Sequence, residues 1–207
     1  MTQGFETYAE IECDAEILRA NYREIARCVG AGIKIIPAIK ADAYGFGAVE
    51  TAAFFERLGA YALFTGNIAE AAAVRTSGVR LPVILFGAYL PTDMHLLLGQ
   101  GLIPTIYDRE FAEAASAAAT APVEVYIKVD AGLGRLGVPL TDAAEFIRWV
   151  SGLPNLRIGG IYTHLPFAGS DGIPWARKRL AEFDEFLATL AASGLAVPVS
   201  QALKPRT

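Results

Sequence analysis

Little in this chain can form a covalent or metal framework. Of its 207 residues only Cys13 and Cys28 are cysteines, too few for a disulfide scaffold. There are two histidines, His95 and His164, and no spacing of Cys, His, Asp or Glu suits a zinc site. Charged residues make up only 19% of the chain, and no lysine- or arginine-rich block stands out. A net charge of -4 and a pI near 5.3 argue against nucleic acid as a partner. Apolar runs are strand-length, so no membrane span is expected. The start, Met1-Thr2-Gln3-Gly4-Phe5-Glu6, lacks the basic and apolar regions of a secretory signal. A cytoplasmic, globular, enzyme-like protein is the expectation. What the chain has in abundance is apolar residues, 53% of the total, enough for one large core.

Those residues are arranged in a recurring pattern. Short apolar runs fall at 33–39, 61–66, 82–88, 102–107, 123–130, 158–163 and 196–200. Segments of helical period lie between them. Ile17, Ala20, Ile25 and Val29 predict one buried helical face after Asp14. Asn67 followed by Glu70 reads as a capping-box start, with Gly78 as the stop. Helices are also expected over Thr141 to Gly152 and Trp175 to Gly194, the latter with Leu180, Phe183, Leu187 and Leu190 as its buried stripe. Strands apolar on both faces, each followed by a helix, predict parallel βα units. Seven such units favour a TIM-type (β/α)8 barrel, incomplete at its carboxyl end, over a doubly wound sheet. Tyr8-Ala9-Glu10-Ile11-Glu12-Cys13 alternates like an edge strand outside the barrel.

A βα barrel builds its site at the carboxyl ends of its strands. That rule selects Lys40, Lys128, Asp130 and His164, with Tyr44 and Arg135 on the loops that follow. Lys40 at the end of a buried strand is a candidate imine-forming nucleophile; the plainer reading is a lysine snorkelling to water. Tyr44 is either a phosphate donor or a packed loop ring. His164 is either a ring that stacks on a planar cofactor or a core histidine bonded to a carbonyl. Lys128 and Arg135 flank a glycine-rich loop, where they either pair with Asp130 or hold an anionic ligand. Gly132, Gly134 and Gly137 have dinucleotide-like spacing. No acidic ribose partner follows at the right distance, so a nicotinamide site is not expected.

Three segments carry a family resemblance. Ile39-Lys40-Ala41-Asp42-Ala43-Tyr44-Gly45-Phe46-Gly47 is similar to the pyridoxal-phosphate signature of alanine racemases. Lys128-Val129-Asp130-Ala131-Gly132-Leu133-Gly134-Arg135-Leu136-Gly137 and Gly160-Ile161-Tyr162-Thr163-His164 resemble two further signatures, in the family's order and spacing. The likeness covers nearly the whole chain. It implies the amino-terminal barrel domain of a fold type III enzyme dependent on pyridoxal 5'-phosphate, interconverting L- and D-alanine through a lysine aldimine. By the same resemblance, Lys40 holds the cofactor and acts as one of two bases, and Tyr44 contacts the phosphate. His164 buttresses the pyridine ring, and Arg135 bonds the phenolic oxygen. Lys128 matches a lysine often carbamylated in the family. The resemblance further implies a homodimer, a second β-domain and a role in supplying D-alanine as a peptidoglycan precursor.

The departures shape the expectations. Phe46 stands where the family usually has histidine, and Ala131 where it usually has threonine. Leu203-Lys204 replaces an Asn-Ser pair that helps bind phosphate. The second domain with its opposite-face tyrosine does not follow Thr207. Racemisation needs a base on each face, so this 207-residue chain alone is expected to be a poor racemase or inactive. Competing readings are a pyridoxal-phosphate protein that does not racemise, a related racemase or decarboxylase acting on another amino acid, and a pseudoenzyme.

Overall fold

The structure is a computed structural model that describes residues 12–87, 89–166, 172–195 and 197–201. The expected strand over residues 8–13 lies largely outside these residues; 12–14 carry no regular structure. Asp14 caps α1 (Ala15–Val29), its carboxylate accepting from the Glu16 and Ile17 amides. One left-handed turn, α2 (Lys40–Tyr44), leads into α3 (Ala48–Arg57). Then β1 (Leu63–Thr65), α4 (Ile68–Thr76), β2 (Val83–Leu85), α5 (Met94–Gly99), β3 (Ile103–Ile106), α6 (Arg109–Ala118) and β4 (Val123–Asp130) follow in alternation. The described chain closes with β5 (Val138–Pro139), α7 (Ala143–Ser151), β6 (Leu156–Tyr162), α8 (Gly172–Ala192) and β7 (Val199–Gln201).

The sheet order is β1-β2-β3-β4-β6-β7, every pairing parallel, with the short β5 attached to β4. Strands that pair in chain order curl into a barrel wall, whereas a doubly wound sheet reverses its order partway. The wall sweeps through 220° and forms an incomplete barrel. Its first strand is only half made. The amides of Tyr61, Phe64 and Ile39 bond the Ile35, Pro37 and Phe64 carbonyls at 2.8–2.9 Å, yet the ladder is reduced to one bridge, Ala38 to Phe64. Pro37 has no N–H to give, which breaks the strand's own donor pattern.

Two apolar layers flank the wall. The outer one packs the helices: Leu180, Phe183 and Leu190 of α8 are buried, as are Phe146, Ile147 and Val150 of α7. The inner one fills the barrel with Phe64, Ile84, Tyr126, Tyr162 and Val199. Side chains alternate faces along a strand. The inward parity of Tyr126 therefore carries to Lys128, and that of Tyr162 to His164, so both reach the carboxyl mouth. Gly159 and Gly160 shift the β4–β6 register, and the Tyr126 ring lies where a side chain on Gly160 would be.

The expected face of α1 is corrected. Ile17, Ile25 and Val29 are exposed, at 60%, 52% and 44%. The helix instead docks through Leu18, Arg19, Tyr22 and Ala26. Tyr22 meets the Phe55 ring at 5.8 Å, and Arg19 lies 5.6 Å from the Phe54 ring. The apolar stripe is wider than the contact, and the Phe54–Phe55 pair on α3 selects which half is covered.

Candidate active site

The site begins with a backbone conformation. Ala41, Asp42, Ala43 and Tyr44 have φ of 53°, 53°, 52° and 58°. Each left-handed non-glycine residue costs about 1–2 kcal/mol, so four in a row persist only where other contacts impose them. Several contacts do. Gly45 donates to the Ala41 and Asp42 carbonyls, and Gly47 donates to Asp42 at 3.0 Å. The Asp42 carboxylate accepts from the Ala48 amide at 2.7 Å, tying the turn to the start of α3. The Asp42 amide donates to Glu70 Oε1 at 2.9 Å.

Lys40 opens this turn and is exposed, not buried as a strand-end position suggests. The turn lifts it off the strand into the open mouth. Its Nζ sits 5.8 Å from the Tyr44 ring and 6.0 Å from the Phe86 ring, so two aromatic faces flank the amine. Tyr44 itself is 61% exposed. A cavity of about 180 Å³ lies behind the turn, lined by Leu18, Ala38, Ala43, Tyr44, Phe46 and Phe55 among others. A larger space of about 370 Å³, between Tyr107, Asp108, Asp142 and Glu145, has none of the mouth cations in its lining.

The loop after β4 presents Arg135. Asp130 does not pair with Lys128 or Arg135. Its Oδ1 accepts from the Gly132 and Leu133 amides and its Oδ2 from the Gly134 amide, each at 2.8 Å. The carboxylate thus shapes the loop, and among the described residues it acts on Lys128 through space rather than as an ion pair. Gly137, at φ 137°, closes the loop against β4; a Cβ there would lie 2.7 Å from the Asp130 nitrogen. Thr163 Oγ1 accepts from the Ala131 amide at 3.3 Å and joins this loop to the end of β6.

Lys128 is 4% exposed. Burial holds its pKa below the usual lysine range, Arg135 adds to that, and Asp130 opposes it. His164 is exposed at the rim of the mouth. Even so, its pKa lies below the ordinary value through partial burial, then through Arg135, Lys128 and Lys40. The charges of Arg135, Lys128 and Lys40 thus all act on His164. At neutral pH the imidazole is neutral and offers a flat ring beside three cations. No cluster of metal-ligating side chains is present among the described residues. The Tyr162 hydroxyl, inside the barrel, donates to Thr105 Oγ1 at 3.2 Å, and that of Tyr89 to the Thr105 carbonyl at 2.5 Å.

Sequence reasoning missed Thr65 and Glu70. The signal was there: Glu70 falls three residues after a cap, where a reciprocal bond back to Asn67 is expected. The structure gives the Asn67 amide to Thr65 Oγ1 instead, at 3.3 Å.

A parallel barrel wall with an aromatic-flanked lysine and three further basic side chains at its mouth defines a βα-barrel protein with a basic mouth. The chain belongs to the family described as alanine racemase, N-terminal domain, whose model matches residues 13–202. It is 34% identical over 195 residues to the alanine racemase of Desulfovibrio desulfuricans, covering 93% of this chain and 53% of that protein. It is 32% identical over 197 residues to alanine racemase 1 of Caldanaerobacter subterraneus subsp. tengcongensis, covering 93% and 50%. The solved alanine racemase of Clostridium difficile 630 in complex with cycloserine matches with a TM-score of 0.83 at 26% identity, over 89% of this chain and 52% of that one. The chain spans about half the length of the curated relatives it matches.

Proposed function

We propose that this chain is the cofactor-binding barrel of a pyridoxal-phosphate-dependent isomerase that interconverts L- and D-alanine, and that its described residues form one domain. The observation that carries the reading is the basic group of Lys40, Lys128 and Arg135 acting on one imidazole, His164, while the Asp130 oxygens accept from the amides of their own loop. A multiply anionic planar aldehyde fits that donor set: it brings negative charge, a carbonyl for an amine and a ring for aromatic neighbours. When bound, pyridoxal phosphate supplies an electron sink for the electron pair left when an amino acid gives up its α-proton.

The chain's own residues divide the remaining work. Lys40 would hold the cofactor through Nζ and, as an amine, would serve as the base for the substrate's α-proton on its own face. Tyr44, beside it, donates to phosphate. Arg135, on the loop that Asp130 shapes, would donate to the phenolic oxygen. Neutral His164 packs against the ring. Lys128, buried and with a depressed pKa, is suited to carbamylation, which would turn a repelling cation into an acceptor that orients Arg135. The second base would come from the second domain of a partner subunit, so the working unit is a homodimer where that domain is supplied. Placement in the cytoplasm, in D-alanine supply for peptidoglycan, follows from the same reading; among the described residues no helix is long and apolar enough to cross a membrane. The net charge of -4 speaks against nucleic acid as a partner.

The test is a visible absorbance spectrum with added pyridoxal phosphate, then borohydride reduction and peptide mapping. The expected result is one reduced pyridoxyl adduct, on Lys40. Absence of an adduct, or label scattered over Lys34, Lys178 and other lysines, overturns the reading.

A further inference from the structure

Glu70 stands where a capping box would use it and is not used that way. Asn67 caps α4, accepting from the Ala69 amide at 2.8 Å and the Glu70 amide at 3.4 Å. In a full box the Glu70 carboxylate would reach back to the Asn67 amide. Instead its Oε1 accepts from the Asp42 amide at 2.9 Å and its Oε2 from the Thr65 hydroxyl at 2.7 Å. Thr65 is fully buried at the end of β1, and its own oxygen takes over the Asn67 amide at 3.3 Å. One carboxylate therefore joins three elements: the barrel wall at β1, the first turn of α4 and the left-handed turn that opens with Lys40.

The turn requires such a tie. Its four left-handed residues include no glycine, so nothing in their own preferences favours the conformation. Within the turn, Ala43 and Gly45 donate locally, but the Asp42 amide turns outward and finds its partner 28 residues away. A charged acceptor is a stronger hydrogen-bond partner than a neutral one. We infer that Glu70 is a positioning residue: it holds the left-handed turn against the barrel wall and so fixes where Lys40 projects. This rests on Lys40 being the reactive amine of the proposed function. The wider claim is that α4 acts on the chemistry through Glu70 rather than only covering the sheet.

The test compares Glu70→Ala, Glu70→Gln and Asn67→Ala in the full 207-residue chain, by amide hydrogen exchange and by the pyridoxal-phosphate reduction assay. Glu70→Ala should speed exchange of the amides over residues 42–47 about tenfold, the effect of one lost charged hydrogen bond. It should also spread pyridoxyl label away from Lys40. Glu70→Gln keeps an acceptor and should recover most of both. Asn67→Ala removes the side-chain cap of α4 but keeps the Glu70 carboxylate and its two partners, and should move both far less than Glu70→Ala. If Glu70→Ala does not fold, Thr65→Val removes the hydroxyl's bond to Glu70 and its acceptance from the Asn67 amide, leaves the bond between Glu70 and the Asp42 amide, and should give a smaller acceleration over the same residues. Unchanged exchange over 42–47 in the Glu70 or Thr65 variants, or an equal acceleration in Asn67→Ala, overturns the inference. A wild-type chain that takes no label on Lys40 defeats the proposed function alone, because the exchange contrast still decides whether Glu70 holds the turn.

Discussion

Replacing Ala41 by glycine should make the protein more stable and its site worse ordered. Ala41 is exposed and has φ 53°, so its methyl group buries nothing and strains the backbone. Relief of a left-handed alanine is worth about 1–2 kcal/mol. The greater freedom of glycine in the unfolded chain returns about 0.4–1 kcal/mol of that. The net is a gain of about 0.5–1 kcal/mol, which for a chain of this size raises Tm by about 1–4 °C. Ala73 supplies the control. It is equally exposed but lies in right-handed α4, where the same substitution should cost about 1 kcal/mol. Urea unfolding followed by the fluorescence of Trp149 and Trp175 reads both variants against wild type. The two should move in opposite directions. At the same time Ala41→Gly should speed hydrogen exchange over 42–47, since a glycine also opens routes out of the turn. A loss of stability in Ala41→Gly comparable to that in Ala73→Gly would refute the view that this turn stores strain.

Gly160→Ala should cost about 1–3 kcal/mol by overpacking, because its Cβ would lie 2.5 Å from Tyr126 Cε1. Combining it with Tyr126→Val should cost less than the sum of the single changes in a urea double-mutant cycle, and strict additivity would count against direct contact. His164 should titrate below the ordinary histidine value, as read by NMR with His95→Asn to assign the resonances. Its contribution to folding is then complete above the unfolded pKa of about 6.5 and is lost as pH falls through the lower folded value. Saturating inorganic phosphate should raise that folded value by offsetting Lys40, Lys128 and Arg135. A His164 pKa at or above the ordinary value, unmoved by phosphate, would break the reading of the mouth as a cationic site.

What the sequence made legible was whatever repeats. The short runs apolar on both faces located the wall and the strand-end rule picked out Lys128 and His164, which share the inward parity of Tyr126 and Tyr162. The helix stripes of α7 and α8 were equally direct. Where two solutions share one pattern, the sequence alone misled. The apolar stripe of α1 is broad enough to bury either Ile17 and Ile25 or Leu18 and Tyr22, and only the position of Phe54 and Phe55 decides between them. Asp130 looked like a partner for two cations because charge is visible in a sequence and loop amides are not.

The turn after Lys40 was illegible for a deeper reason. Ala41, Ala43 and Tyr44 have no preference for left-handed backbone, and of the four only Asp42 tolerates it readily. Nothing local encodes the conformation. It arises from partners outside the turn: the Ala48 amide and Gly47 just after it and, 28 residues on, Glu70. A signature that reads as a run of small residues beside a lysine is therefore half of a device whose other half lies in α4. Local preference and native conformation disagree at the residues next to the candidate nucleophile. Such disagreement is expected where a fold holds a functional group in place rather than where it builds its core. On that argument the strain at Ala41–Tyr44 marks the site independently of any family resemblance, and Glu70 is the residue that keeps the strain in use.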